Sequence, residues 1–200
     1  MKRQQGASLL GKVVLVILAI VFATSSTAVA ALVNGGFETG DLTGWTQVGT
    51  DPGVSLYVAP FNPHSGTYHA TTGYSADWQY IGQDIATTLG QSYTVDFWLS
   101  NGDATPGGDN RFVARWNGTT KIDLLNLPYD SPDYTHYSYT AVATGTSTTI
   151  DFGFIYNPGW FDFDDVSMNQ VSSAVPIPGA IWLLGSGLIG LIGIRRRFRK

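Results

Sequence analysis

Apolar and polar residues alternate through most of the middle of the chain. The clearest case runs from Tyr93 to Leu99, where every second residue is apolar. Successive side chains of a β-strand point to opposite faces, so this alternation predicts a strand with one buried face. The same pattern predicts further strands at 111–116, 121–125, 137–143, 150–156 and 161–168, and weaker ones near 32–37, 54–58, 68–72 and 78–85. No stretch before residue 179 has a convincing helical period.

The connections between these strands are short and rich in turn residues. Asn117-Gly118 stands between two of the predicted strands and is a strong hairpin signal. Many short strands with one apolar face predict two antiparallel sheets packed as a sandwich. We therefore assign residues 31–170 to one all-β domain.

The last predicted strand contains an irregularity. Phe161 and Phe163 share one face of the strand. Val166 and Met168 are also apolar, but they would lie on the opposite face if the alternation continued unbroken. Both pairs point inward only if the alternation slips by one residue between them, which predicts a β-bulge at Asp164-Asp165.

The first thirty residues predict an export signal. Lys2, Arg3 and Lys12 precede the apolar run 13–23, and residues 28–30 read Ala-Val-Ala, an A-x-A cleavage site. Eleven apolar residues are too few for a membrane span, so we favour a cleaved signal peptide over an anchor helix.

The C-terminal 26 residues have three parts in a fixed order, after a short linker at 171–174. Val175, Pro176, Ile177 and Pro178 come first, an apolar run follows at 179–194, and the basic cluster 195–200 includes Arg195, Arg196 and Arg197. As a helix the sixteen apolar residues reach roughly 24 Å, short of the ~30 Å hydrocarbon core. The run therefore predicts a marginal transmembrane helix with its basic end on the cytoplasmic side.

This tail, VPIPGAIWLLGSGLIGLIGIRRRFRK, resembles the PEP-CTERM sorting signal of Gram-negative bacteria in its VPLP-type variant. The better-known version has Glu-Pro where this chain has Ile177-Pro178. The resemblance implies export across the inner membrane, transient anchoring, and cleavage near residues 175–178 by an exosortase-like enzyme. The protein would then reside at the cell surface or in a biofilm matrix.

The charges are unevenly distributed. The stretch from Glu38 to Asp165 contains three basic and fifteen acidic residues, a net charge of −12, although the whole chain carries only −4. Such a domain is a poor partner for nucleic acid. The chain has no cysteine, so no disulfide supports the fold.

Four segments of the domain carry a second resemblance. They are LVNGGFETG at 32–40, the stretch 81–97, the stretch 111–118, and FDFDDVSM at 161–168. In this order they resemble the galactose-binding-like jelly roll of several carbohydrate-binding modules and bacterial surface proteins. The resemblance implies an antiparallel jelly-roll β-sandwich. It also implies a structural calcium ion between the two ends of the domain, with Glu38, Asp164 and Asp165 as ligands; the alternative is that these carboxylates are solvated.

The alternation also suggests a ligand surface. If Tyr93 and its partners face the core, then Asp96 and Trp98 face outward, as do Arg111 and Arg115 of the next strand. An aromatic ring beside a few charged groups is suited to binding sugars. The alternatives are that Asp96 and Arg115 form an ordinary cross-strand ion pair and that Trp98 covers a second apolar layer.

Aromatic residues of the predicted loops offer a separate option for binding. They are Trp45, Tyr57, Phe61, Tyr74, Trp78 and Trp160. Of these, Trp45 is expected to fill the core near the N-terminal segment, and His136 is expected to lie on a polar face.

Catalytic motifs are missing from the sequence. Thiol catalysis is excluded, the spacing of His64 and His69 matches no zinc motif, and neither a GxSxG elbow nor a P-loop occurs. We therefore predict a non-catalytic module that binds glycans, such as an extracellular polysaccharide. The alternative is a structural or adhesion protein acting through other surface proteins, and a glycoside-active enzyme ranks last.

Overall fold

The computed structural model describes residues 32–49, 56–73, 75–102 and 109–171. Ten strands form within these ranges, and no helix there is long and apolar enough to cross a membrane. The predictions for residues 1–30, for 175–200, and for the linker beyond Val171 lie outside the described residues.

The strands form two five-stranded sheets in which all neighbours are antiparallel. Sheet A has the order β1-β4-β9-β6-β7, and sheet B has the order β2-β3-β10-β5-β8. The strands are β1 Thr46–Gly49, β2 Tyr57–Ala59, β3 His69–Thr71, β4 Ser75–Ala86, β5 Ser92–Asn101, β6 Asp109–Trp116, β7 Thr119–Leu125, β8 Thr135–Val142, β9 Ser147–Asn157 and β10 Phe161–Gln170.

Most connections cross from one sheet to the other. Only β2–β3 and β6–β7 are consecutive strands that pair with each other. The β6–β7 turn is Asn117-Gly118, whose positive φ angles of 48° and 73° suit a two-residue hairpin, as predicted. The predicted all-β jelly-roll sandwich is confirmed.

An aromatic core lies between the sheets. Phe97 of sheet B packs against Phe112 and Phe152 of sheet A, with ring centroids 5.2 and 5.3 Å apart. Trp45 also fills the core as predicted, 7% exposed and 5.5 Å from the ring of Phe37. Such interlocked rings fix how the sheets stack and therefore which side chains face outward.

Of two local predictions, one is confirmed and the other is wrong. The bulge in β10 is confirmed, because the pairing with β5 shifts between Asp164 and Ser167 and Asp165 has a φ of 50°. The weak strand predicted near 32–37 is wrong, since this segment consists of turns and bends. Its backbone instead hydrogen-bonds to the bulge, where the amide of Val166 donates to the carbonyl of Gly35 at 2.9 Å.

Candidate functional site

A stacked pair of aromatic rings lies on the outer face of sheet A. Along β4, Gln79 and Ile81 are buried, so Trp78 and Tyr80 point away from the core. Their ring centroids are 5.5 Å apart and the planes differ by 21°. The two rings form a half-exposed apolar surface on the outer face of sheet A, whose inner face packs in the core.

Two arginines of β6 extend this surface. The guanidinium of Arg115 lies 4.1 Å from the ring centroid of Tyr80, and that of Arg111 lies 5.5 Å from the centroid of Trp78. These are cation–π distances, and Arg is well suited to them because its planar group stacks on a ring. The outer face thus carries two arginine–aromatic pairs side by side.

Each arginine is also paired with a carboxylate. Arg111 Nε and Nη2 donate to the two oxygens of Asp123 at 2.9 and 2.6 Å, and Arg115 Nε donates to Asp151. The hydrogen bonds from Arg111 lower the pKa of Asp123, and the two carboxylates hold both guanidinium groups in place. Locally, the positive charges are balanced.

Two glycines keep the centre of this face flat. A Cβ added at Gly153 would lie 2.2 Å from Cε1 of Tyr80, and one added at Gly82 would lie 2.9 Å from Cβ of Asp151. Because a side chain at position 153 would occupy the space of the ring, Tyr80 lies across the β9 backbone.

A groove of about 400 Å³ borders Tyr80 and Arg115. Val48, Asp84, Thr149 and Asp151 complete much of its wall. The hydroxyl of Tyr80, like that of any tyrosine at neutral pH, is protonated and can donate as well as accept hydrogen bonds. Burial raises its pKa further. An aromatic surface with neutralised charges and many hydroxyl partners suits an uncharged, hydroxyl-rich ligand.

The sequence-predicted ligand surface is divided between two faces. Asp96 and Trp98 lie on β5 in sheet B, whereas Arg111 and Arg115 lie on β6 in sheet A. The prediction that these four side chains lie together is wrong, and so is the alternative ion pair between Asp96 and Arg115. The error arises because the chain crosses the sandwich between β5 and β6.

Trp98 is largely covered by imidazole rings on the outer face of sheet B. The ring of His64 stacks on it at 3.9 Å, and that of His136 lies at 4.9 Å. His136 Nε2 is 3.2 Å from Asp96 Oδ1, which confirms that His136 lies on a polar face. His64 therefore occupies one side of the indole, and Trp98 remains partly exposed.

Glu38, Asp164 and Asp165 hold one loop, residues 64–68. Glu38 accepts hydrogen bonds from the amides of Thr67 and Tyr68 at 3.0 Å. Asp164 Oδ2 accepts from the amides of residues 64 and 65, while Asp165 Oδ2 accepts from His64 Nδ1 at 2.6 Å. The opening and closing segments of the domain therefore meet at this loop, as predicted.

These carboxylates do not form a metal cage in this geometry. Calcium takes six to eight oxygen ligands that converge on one point. The oxygens described above instead accept hydrogen bonds from backbone amides or, for Asp165 Oδ2, from the His64 ring. No three histidine or acidic side chains in the described ranges could hold an ion. The structure does not test whether calcium binds, so the calcium site stays a prediction; comparing melting temperatures in calcium and in EDTA tests it.

Sequence reasoning missed the contribution of β4. From the sequence, Trp78 stands both at the start of the weak strand 78–85 and among the loop aromatics, and Tyr80 has no role in a site. The alternation of Trp78, Gln79, Tyr80 and Ile81 nevertheless puts both rings on one face. What the pattern could not reveal is that β4 and β6 flank β9, which brings these rings beside the arginines.

Several proteins of known structure have a similar fold. No curated protein matches the sequence. Among solved structures, TmCBM61 in complex with β-1,4-galactotriose has a TM-score of 0.56 at 20% identity, over 71% of this chain and 99% of that one. The CBM22-1 xylan-binding domain of Paenibacillus barcinonensis Xyn10C has a TM-score of 0.54 at 15% identity, over 75% and 100%.

An adhesin domain has the same fold. The K1 cleaved adhesin domain of Lys-gingipain from Porphyromonas gingivalis W83 has a TM-score of 0.54 at 13% identity, over 68% of this chain and 96% of that one. At these identities the likeness concerns the fold alone. The family model for a carbohydrate binding domain, CBM_4_9, matches residues 29–164. The chain belongs to this family of carbohydrate binding domains.

Proposed function

We propose that the protein is a non-catalytic module that binds an uncharged glycan on the outer face of sheet A. The observation that carries this proposal is the pair of stacked rings, Trp78 and Tyr80, flanked by Arg111 and Arg115. Family membership supports it, as do the bound galactotriose of TmCBM61 and the xylan-binding activity in the name of CBM22-1.

These residues on the outer face of sheet A each have their own role in binding the glycan. Trp78 offers its exposed ring surface to the C–H face of a sugar unit. Because Gly153 and Arg115 cover the two faces of Tyr80, this residue contacts the sugar through its exposed ring edge and its hydroxyl. Arg111 and Arg115 donate N–H groups that their carboxylate partners leave unused, and Asp151 accepts from hydroxyls. Because the arginines are already fixed by Asp123 and Asp151, little side-chain freedom is lost on binding.

Affinity electrophoresis of the full-length chain in gels containing neutral polysaccharides tests the proposal. Galactan, xylan, β-glucan and the producing cell's own exopolysaccharide form the panel. At least one of them should retard the protein, and Tyr80→Ala should abolish the retardation. Absence of retardation on all of them, with calcium present, contradicts glycan binding and favours adhesion through protein contacts.

We also propose that the protein is exported across the inner membrane of a Gram-negative bacterium. The signal-like residues 1–30 and the sorting-like residues 175–200 support this. An exosortase-like enzyme would cleave near 175–178 and leave the domain at the cell surface or in the matrix. Mass spectrometry of the mature protein should find no peptide that contains residues 195–200; finding one in the mature form contradicts this processing.

A further inference from the structure

We propose a second sugar-binding site on the opposite side of the sandwich, in a cavity of about 320 Å³ beside β2 and β3. Its wall includes Tyr57, Phe61, Asn62, Thr71, Trp160 and Asp162. Thr71 of β3 pairs with both Tyr57 of β2 and Asp162 of β10, so the three side chains belong to one row on sheet B. The groove beside Tyr80 lies on sheet A and shares none of these residues.

Three aromatic side chains around this cavity are exposed to solvent. Tyr57 is 49% exposed, Phe61 62% and Trp160 42%. Single exposed apolar residues are common on protein surfaces, but several around one cavity mark a ligand site. The exposed part of each ring therefore offers stacking surface to a ligand.

The backbone fixes the position of Trp160. A Cβ at Gly102 would lie 2.1 Å from Cε2 and Nε1 of the indole, so the ring lies directly on the main chain at that residue. The amide of Gly102 donates to the carbonyl of Trp160 at 3.0 Å, which ties the two segments together. The indole is thus exposed and yet held in one place, which lowers the entropy lost when a ligand binds.

A buried hydrogen bond between a histidine and an aspartate orients the polar group of the cavity. Asp162 is 5% exposed, and its Oδ1 accepts a hydrogen bond from Nε2 of His69, which is fully buried. His69 Nδ1 has no hydrogen-bond partner among the described residues, so Nε2 carries the proton. The imidazole orients the Asp162 carboxylate, which lines the cavity and can accept hydroxyl hydrogens there.

The chemistry of the wall selects the ligand class. Among the described residues that line the cavity, Asp162 alone is charged, so its carboxylate would repel an anionic sugar. Asn62 and Thr71 add amide and hydroxyl groups beside the three rings. The size is at the lower end for small-molecule sites. The ligand is therefore a neutral sugar unit, such as a hexose or pentose at a chain end or on a branch.

Two sites on opposite sheets would let one molecule bridge two glycan chains. This extends the proposed function but does not depend on it, since the residues differ. The test must therefore report on each site separately.

Nitrogen-15 NMR of the tryptophan side chains in the full-length chain provides that separation. The indole signals of Trp160 and Trp78 are assigned from Trp160→Phe and Trp78→Phe. Glucose, galactose, mannose, xylose and N-acetylglucosamine are then titrated one at a time. At least one should shift the Trp160 signal saturably, in the unchanged protein and in Tyr80→Ala alike.

Substitutions of the cavity wall complete the test. Phe61→Ala should weaken this response by about tenfold, and Gly102→Ala, which displaces the indole, should weaken it too. Leu89→Ala, at a residue 66% exposed and outside the cavity, should not change it. The second site is refuted if no sugar shifts the Trp160 signal, or if Phe61→Ala and Gly102→Ala leave the response unchanged. A missing response of Trp78 would instead count against the site on sheet A.

Discussion

The orientation of the Tyr80 ring depends on a glycine in the neighbouring strand. The ring lies over Gly153 of that strand, beside Cγ2 of Val113, and below the guanidinium of Arg115. Each neighbour limits the ring on a different side. The orientation of the aromatic surface is therefore set by the strand next to it as much as by β4 itself.

Gly153→Ala should displace Tyr80 without changing any residue that contacts the ligand. The added Cβ would meet the ring at 2.2 Å and Val113 at 2.8 Å, and both are closer than van der Waals contact allows. We expect glycan affinity to fall about tenfold or more, measured by calorimetry.

Gly145→Ala is the matched control, because its added Cβ would meet nothing nearer than 3.6 Å. Equal affinities for Gly153→Ala and the unchanged protein would show that the position of Tyr80 is unimportant for binding.

At the scale of elements, loop 64–68 and the β10 bulge form one hydrogen-bonded unit. The positive φ of Asp165 turns its carboxylate toward His64 and Ser65, while Asp164 accepts amide hydrogens from the same loop. Burial raises the pKa of Asp164 to about 6, since the loop covers it, and the amide hydrogen bonds only partly offset this effect. The bulge thus places a carboxylate where its charged form is disfavoured.

The pH dependence of stability should reveal Asp164. Its folded-state pKa lies above the ordinary value of 3.8, so its stabilising contribution is full below pH 3.8 and is lost as the pH rises through about 6. The free energy of unfolding of the unchanged protein, minus that of Asp164→Asn, should therefore decrease from pH 4 to pH 7 in urea denaturation.

Asp123→Asn is the control for this series. Hydrogen bonds from Arg111 lower the pKa of Asp123, so its titration lies below this pH window. A difference for Asp164→Asn that is constant or increases with pH would contradict the assignment.

The pairing of strands into sheets is the part of the fold that the sequence could not predict. Alternation gave the buried faces of β5 and β6 correctly, because a strand's own side chains carry that information. It could not tell that β5 joins sheet B and β6 sheet A, since sheet membership depends on pairing between distant segments. For this reason Trp98 was paired with the wrong arginines, whereas the bulge at Asp164-Asp165, a local feature, was predicted correctly.

The whole molecule is a sandwich that presents a different chemistry on each side. Sheet A carries the arginines and the rings of Trp78 and Tyr80, and sheet B carries the imidazole-covered Trp98 and the cavity beside Trp160. The net charge of −12 between residues 38 and 165 disfavours binding to anionic polymers. Both sides are therefore better suited to uncharged glycans than to anionic ones.

The most direct test of the central claim compares matched substitutions on the two faces. Isothermal titration calorimetry with the polysaccharide identified by electrophoresis measures the affinity of Tyr80→Ala and Trp98→Ala, with melting temperatures recorded for both. Tyr80→Ala should lose about tenfold or more in affinity, and Trp98→Ala should bind like the unchanged protein. Loss of binding in Trp98→Ala but not in Tyr80→Ala would contradict a glycan site on sheet A.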